Sequence, residues 1–250
     1  QMQAHEMHVH LATGVSGIDA GRLRTLPMSY EPLLYVEAPA LSRTQVVVKR
    51  VFDLCVSSII LVLTSPVFAA IAIMVKLQDR GPVLFRQERV GRNGQSFKVL
   101  KFRTMRVDAE AQLAKLREAN ERNGPLFKME RDPRVTRVGR ILRTTSLDEL
   151  PQLINVVKGE MSLVGPRPAL PSEVAEFEPD LRQREMVLPG ITGLWQVEAR
   201  DNPSFSAYKR LDLFYVENWN LMLDIVLMME TFSSVMARVL RRGKSARPRN

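Results

Sequence analysis

Asp148 and Glu149 are adjacent carboxylates in a chain stretch rich in fixed cations. Arg140 and Arg143 stand just upstream, and Arg167 follows within Gly165-Pro166-Arg167-Pro168. Lys101 and Arg103 add two more cations in the segment KFRTM. This mixture suits phosphoryl chemistry. Carboxylate oxygens hold Mg²⁺ together with substrate phosphates. An aspartate can attack phosphorus and form a covalent intermediate. Arginine grips phosphate oxygens through two donors and offsets developing charge. The prolines beside Arg167 stiffen the loop that aims it.

A structural reading competes with this. Ser146-Leu147-Asp148-Glu149 matches the S-x-x-E capping box, in which Glu149 merely closes a helix N-terminus. Pro151 then falls at the fifth helical position, where it removes a ladder hydrogen bond. Proline prefers the first turn, so a helix starting later leaves the acidic pair open at its mouth. Both readings stand on the local sequence.

The element that must position these residues in the cell is VFDLCVSSIILVLTSPVFAAIAIMVKL, residues 51–77. No charge interrupts the 22 residues between Asp53 and Lys76, about the number a spanning helix needs. Ser65-Pro66 sits near the middle, where a kink or break is expected. Each half has only 11 or 12 residues, too few to cross a ~30 Å core alone. Lys49 and Arg50 precede the run, and Lys76 and Arg80 follow it. Positive charge favours the cytoplasmic side. One topology satisfies both ends: the segment dips into the membrane, bends at Pro66 and returns to the same face. The alternatives are a straight span with a mild kink and a buried helix of a soluble core. Ser57, Ser58, Thr64 and Ser65 are available to satisfy backbone groups that the proline frees.

The totals narrow the class. The chain has 250 residues, 45 % of them hydrophobic, and one long apolar run, so a soluble-type domain carries one membrane element. The charge of +9 fits a surface facing anionic lipid or a phosphate site. No zinc-finger, basic-zipper or RNP-type pattern supports a nucleic-acid partner. Cys55 is the single cysteine, so no disulfide framework forms. His5, His8 and His10 form His-x-x-His-x-His near the chain start and read as solvated; Val9 stands where HExxH needs its second histidine. Pro27, Pro32 and Pro39 divide residues 1–45 into short pieces, with LLYVEAP (33–39) a candidate strand.

Beyond the apolar run, Asn93-Gly94 between two apolar-containing stretches predicts a hairpin within residues 81–105. A helix is expected over 107–123 and another over about 172–187, interrupted at Pro179. LPGITGLWQV (188–197) reads as a loop. Residues 204–219 and 221–242 are amphipathic, and the tail 243–250 is basic and expected to be disordered.

KRVFD (49–53), GPVLFRQERVGRNGQSFKVLKFRTM (81–105), RVTRVGRILRTTSLDELPQLINVVKGEMSLVGPRPALP and PGITGLWQV together resemble the bacterial polyprenyl-phosphate phosphoglycosyl transferases, the monotopic sugar transferases that prime exopolysaccharide and O-antigen assembly. The likeness runs from about Val48 to Arg241, roughly four-fifths of the chain. Residues 11–45 more loosely resemble the end of the extra N-terminal domain of longer members. The chain is thus read as the C-terminal catalytic portion of a longer protein.

The resemblance implies an α+β, mostly helical fold. Residues 1–45 are a remnant or linker, 46–80 a re-entrant membrane helix broken at Ser65-Pro66, and 81–242 a cytoplasmic catalytic domain with a β-hairpin and interfacial helices. It implies transfer of a sugar 1-phosphate, from a UDP-sugar carrying glucose or galactose, to undecaprenyl phosphate at the bacterial inner membrane. The implied mechanism is ping-pong with Asp148 as nucleophile. Mg²⁺ is held by Asp148 and Glu149. Arg143 and Arg167 match the family's phosphate-binding arginines, and Lys101 and Arg103 are expected to assist them. Asp224 in LMLDI matches a late acidic position expected to act on the acceptor, unless it only opens a helix. The partners implied are the two substrates and membrane lipid, with room for a homodimer.

Overall fold

The computed structural model describes residues 23–28, 31–36, 41–109, 132–178, 181–198 and 205–245. The expected helix over 107–123, the three histidines and residues 246–250 lie largely or wholly outside these. The chain divides into two units, Gln1–Pro39 and Ala40–Asn250. In the first, β1 (Leu23–Met28) pairs antiparallel with β2 (Glu31–Val36), with Pro27 opposite Pro32. The strand expected in LLYVEAP is the second half of β2.

The second unit opens with α1 (Arg43–Asp79), a helix of 37 residues, about 55 Å at 1.5 Å per residue. Ser42 caps it: its hydroxyl accepts from the Gln45 amide at 3.2 Å, and Gln45 Oε1 accepts from the Ser42 amide at 2.8 Å. The helix does not end at Ser65-Pro66, contrary to the expected break. Pro66 has no N–H to give to the Val62 carbonyl, and the Ser65 hydroxyl donates to that same carbonyl at 2.8 Å. Thr64 donates to the Ile60 carbonyl at 2.7 Å. Of the four side-chain donors foreseen for this stretch, Ser65 is the one that reaches the carbonyl freed by the proline.

Among the described residues, α1 alone is long and apolar enough to cross a membrane. Its burial is inverted. Lys49, Asp53 and Ser57, at successive four-residue steps, face inward, while Val62 and Leu63 are more than 70 % exposed. The second half buries Ile71 and Val75 against Phe102 and Leu142.

The hairpin is as expected. β3 (Leu84–Val90) pairs with β4 (Ser96–Phe102) from Leu84↔Phe102 to Val90↔Ser96. Its connection is a short 3-10 turn, Arg92–Gly94, with Asn93 and Gly94 both left-handed, φ 55° and 75°. Then come α2 (Arg137–Thr145), a 3-10 turn Leu147–Glu149, α3 (Gln152–Lys158) and β5 (Ser162–Val164).

Two expectations need correction here. The helix over 172–187 is instead a short α4 (Pro171–Ala175) and a 3-10 turn Leu181–Met186, which buries Leu181 and Arg184 together. The 188–197 loop contains β6 (Gly190–Thr192), parallel to β5, and a short α5 (Leu194–Glu198). Glycine permits that pairing: a Cβ on Gly190 would lie 2.1 Å from the Gly165 nitrogen, and one on Gly193 2.2 Å from the Gly165 oxygen. The chain closes with α6 (Phe205–Glu217) and α7 (Leu221–Ser245), the latter running three residues past its expected end. The main core joins Val99, Leu153, Val156, Val164, Tyr215 and Leu227, with Phe52, Val56 and Ile60 of α1 packed against it.

Candidate active site

Asp148 and Glu149 occupy the tight turn between α2 and α3. α2 starts at Thr136, whose hydroxyl accepts from the Gly139 amide at 2.9 Å. A Cβ on Gly139 would stand 2.0 Å from the Thr104 carbonyl oxygen, so only glycine lets the helix lie this close to the chain after β4. α2 ends at Ser146, held left-handed at φ 58°, an uncommon state for a residue with a Cβ. Ser146 makes no side-chain cap, and Pro151 precedes the first residue of α3. The capping-box reading therefore fails. The helix starts later, and both carboxylates are half-buried at its mouth.

Glu149 Oε1 accepts from Lys101 Nζ at 2.6 Å, a pair about one-third exposed on each side. Asn155 sets the strand that brings Lys101 here: its Oδ1 accepts from the Leu100 amide at 3.0 Å and its Nδ2 donates to the Lys98 carbonyl at 2.9 Å. Burial, and next the Glu149 charge, push the Asp148 carboxyl above its ordinary range, while Lys101 and Arg143 pull it back. Arg143 is anchored through Nε to the Thr104 hydroxyl at 2.9 Å. Lys101 and Arg143 are thus the cations gathered around the acidic pair.

The other predicted residues sit elsewhere. Arg103 is buried, and its guanidinium pairs through Nη2 with Asp79 at the end of α1. Asp224, the late acidic position, lies in the interior. It is fully buried and accepts from Lys49 Nζ at 2.6 Å, Tyr215 Oη at 2.7 Å and Trp219 Nε1 at 3.0 Å. Asp53 lies in the same interior and accepts from the Leu163 amide at 3.1 Å. Arg167 is a quarter exposed, 3.5 Å from Glu173 Oε1. Arg89 lies on the same side as Arg167, with Nη1 3.9 Å from Glu173 Oε2.

No group of three or more His, Cys, Asp or Glu side chains converges among the described residues. Two adjacent carboxylates do fit Mg²⁺, which takes one or two protein carboxylates plus substrate phosphates and keeps several waters.

Residues 44–238 match the model of the bacterial sugar transferase family. The chain belongs to that family. It is 43 % identical over 195 residues to the exopolysaccharide production protein ExoY of Rhizobium meliloti, covering 75 % of this chain and 84 % of the relative. It is 39 % identical over 214 residues to the undecaprenyl-phosphate galactose phosphotransferase of Salmonella typhimurium, covering 82 % and 44 %. It is 38 % identical over 210 residues to the UDP-glucose:undecaprenyl-phosphate glucose-1-phosphate transferase of Klebsiella pneumoniae, covering 81 % and 43 %. The chain therefore spans most of the ExoY protein and less than half of the longer relatives.

Within this family member, Thr104, Arg89, Glu173, Arg184 and Asp212 are residues that sequence reasoning passed over. Thr104 lay inside a segment singled out only for its cations. Arg184 and Asp212 were not singled out, yet their side chains are each 3 % exposed and pair at 2.7 Å. Charge on a predicted helix face gives no sign of a partner on a distant helix.

Proposed function

We propose that this chain transfers a sugar 1-phosphate from a UDP-sugar, with glucose or galactose as the sugar, to undecaprenyl phosphate. The observation that carries the reading is Asp148 on a strained turn, half-buried, with Lys101 and Arg143 beside it. Its carboxylate attacks the β-phosphorus, and the bond from that phosphorus to the bridging oxygen breaks. UMP leaves with the bridging oxygen, and a phosphosugar-aspartate remains. An oxygen of the lipid phosphate then attacks the same phosphorus and frees Asp148, giving the lipid diphosphate sugar. Arg143 holds the diphosphate where charge develops, and Arg167 contributes from its loop. Asp148 and Glu149 are the residues that would hold Mg²⁺, whose chemistry here is neutralising diphosphate charge.

A re-entrant α1 fits this chemistry, because the acceptor phosphate sits at headgroup level and the sugar donor is cytosolic. Both halves of α1 pack on the same unit. Arg50 donates to the Val156 and Val157 carbonyls at 2.6 and 2.8 Å, and Asp79 pairs with Arg103. Both ends are then cytoplasmic at the inner membrane, and Pro66 marks the bend. Single cysteines placed at positions 45 and 80 in Cys55→Ala protein are expected to stay unlabelled by an impermeant thiol reagent in intact cells. Labelling at 45 from outside makes α1 an ordinary span.

The test of the reaction is UMP release from a panel of UDP-sugars with undecaprenyl phosphate present. Release is expected with UDP-glucose or UDP-galactose, to stop on chelation and to return with Mg²⁺. Donor alone is expected to add the mass of a phosphosugar at Asp148 under acid quench. Normal turnover without that adduct sinks the two-step mechanism.

A further inference from the structure

Residues 165–168 carry Arg167, and two arginines from other elements, Arg184 buried and Arg89 partly so, grip consecutive carbonyls of this loop. Arg184 Nη2 donates to the Arg167 carbonyl. Arg89 Nη1 donates to the Pro168 carbonyl at 3.0 Å. We propose that Arg89 and Arg184 are positioning residues, a backbone clamp that sets where the Arg167 guanidinium points without touching substrate.

Each clamp arm is itself held. Arg184 is 4 % exposed, and its guanidinium lies 4.9 Å from the Tyr208 ring and 5.3 Å from the Phe177 ring. Its charge is met by Asp212 Oδ2 at 2.7 Å, from α6. Arg89 Nη2 donates to Gln87 Oε1 at 2.6 Å, and Nη1 lies 3.9 Å from Glu173 Oε2. Glu173 closes the circuit: one oxygen accepts from the Leu170 amide at 2.7 Å, and the other faces Arg167 at 3.5 Å.

Burying these charges is costly. It lowers Arg89 to about 10 and raises Asp212 to about 6. A well-packed apolar cluster would hold the fold as firmly. What an apolar cluster lacks is two directed donors to two adjacent carbonyls. Arg89 gives Nη1 to the loop and Nη2 to Gln87, and Arg184 Nη2 meets both the loop carbonyl and Asp212. Tyr208 and Asp212 lie on α6, Phe177 lies beyond α4, and Arg89 lies on β3. The aim of Arg167 is therefore referred to three elements rather than left to its own loop.

The kinetic half of the test rests on the function proposed above; the other half does not. Amide hydrogen exchange on the ligand-free chain in lipid nanodiscs reads the loop directly. Arg184→Gln is expected to speed exchange across residues 163–170 about tenfold, with residues 152–158 unchanged. In UMP release it is expected to raise the KM for UDP-sugar about tenfold with a smaller fall in kcat. Adding Arg167→Ala to it is expected to cost less than the product of the two single losses. Arg89→Lys, which keeps the charge and loses the fork, is expected to show the same pattern more weakly.

Unchanged exchange across 163–170 in both variants overturns the clamp. So do unchanged kinetics in an active protein, or losses that multiply fully with Arg167→Ala. If Arg184→Gln speeds exchange everywhere, it has unfolded, and Arg89→Lys decides alone by the same criteria. Parent protein that releases no UMP from any donor defeats the proposed function, and the exchange measurement still decides the clamp.

Discussion

Lys49–Asp224 and Lys101–Glu149 are both lysine–carboxylate pairs at 2.6 Å, yet they occupy opposite environments. Asp224 is sealed, and Tyr215 and Trp219 donate to it as well, so its carboxylate has little left to offer a ligand. Glu149 has one lysine partner, about one-third of each side chain meets solvent, and Asp148 stands next to it on a strained turn. A fully paired buried acid is a fastener. A half-paired acid beside a second carboxylate is free to exchange partners. Distance alone does not separate the two; the number of donors and the access of water do.

The sharpest way to break this comparison is to neutralise one acid from each region. Asp148→Asn is expected to cut UMP release by about 10⁴-fold or more, since it removes the attacking group. Its urea unfolding midpoint is expected to stay near the parent value. Asp224→Asn is expected to do the reverse in kind, costing about 3–5 kcal/mol in denaturant unfolding because Lys49 stays buried without its counter-charge. Activity lost in Asp224→Asn with unfolding unchanged puts that residue back among the reacting groups. Lys101→Met is expected to change stability by about 1 kcal/mol or less, since partly exposed pairs contribute little. Its turnover is expected to fall further than its stability does, and equal proportional losses make the Lys101–Glu149 pair merely structural.

Local signals were read well where they act locally. Asn93-Gly94 announced the hairpin because a left-handed pair must close it. Pro151 argued correctly that the helix after Asp148-Glu149 starts late, since its missing N–H is tolerated only at a helix start. The partners of two other site candidates were hidden for one physical reason. Asp224 pairs with Lys49, 175 residues earlier, and Arg103 with Asp79, 24 residues earlier. Neither partner announces itself at the site it serves. The short strand at Gly190–Thr192 was also hidden, because it depends on the close approach of Gly190 and Gly193 to Gly165 and not on a strand-forming run. A polar stripe of Lys49, Asp53 and Ser57 inside an apolar helix reads as an imperfection of a membrane segment, whereas it is the inward face.

That inverted stripe bears on how the enzyme can be cut and handled. Lys49, Arg50 and Asp53 hold Asp224, the last turn of α3 and the Leu163 amide respectively, so the start of α1 supplies interior parts of the catalytic unit. Trimming the chain to begin after α1, in the hope of a water-soluble fragment, would leave an acid, two carbonyls and an amide orphaned where α1 had been. The apolar helix is an internal strut of the enzyme, and a detergent or lipid phase is the cost of keeping the enzyme whole.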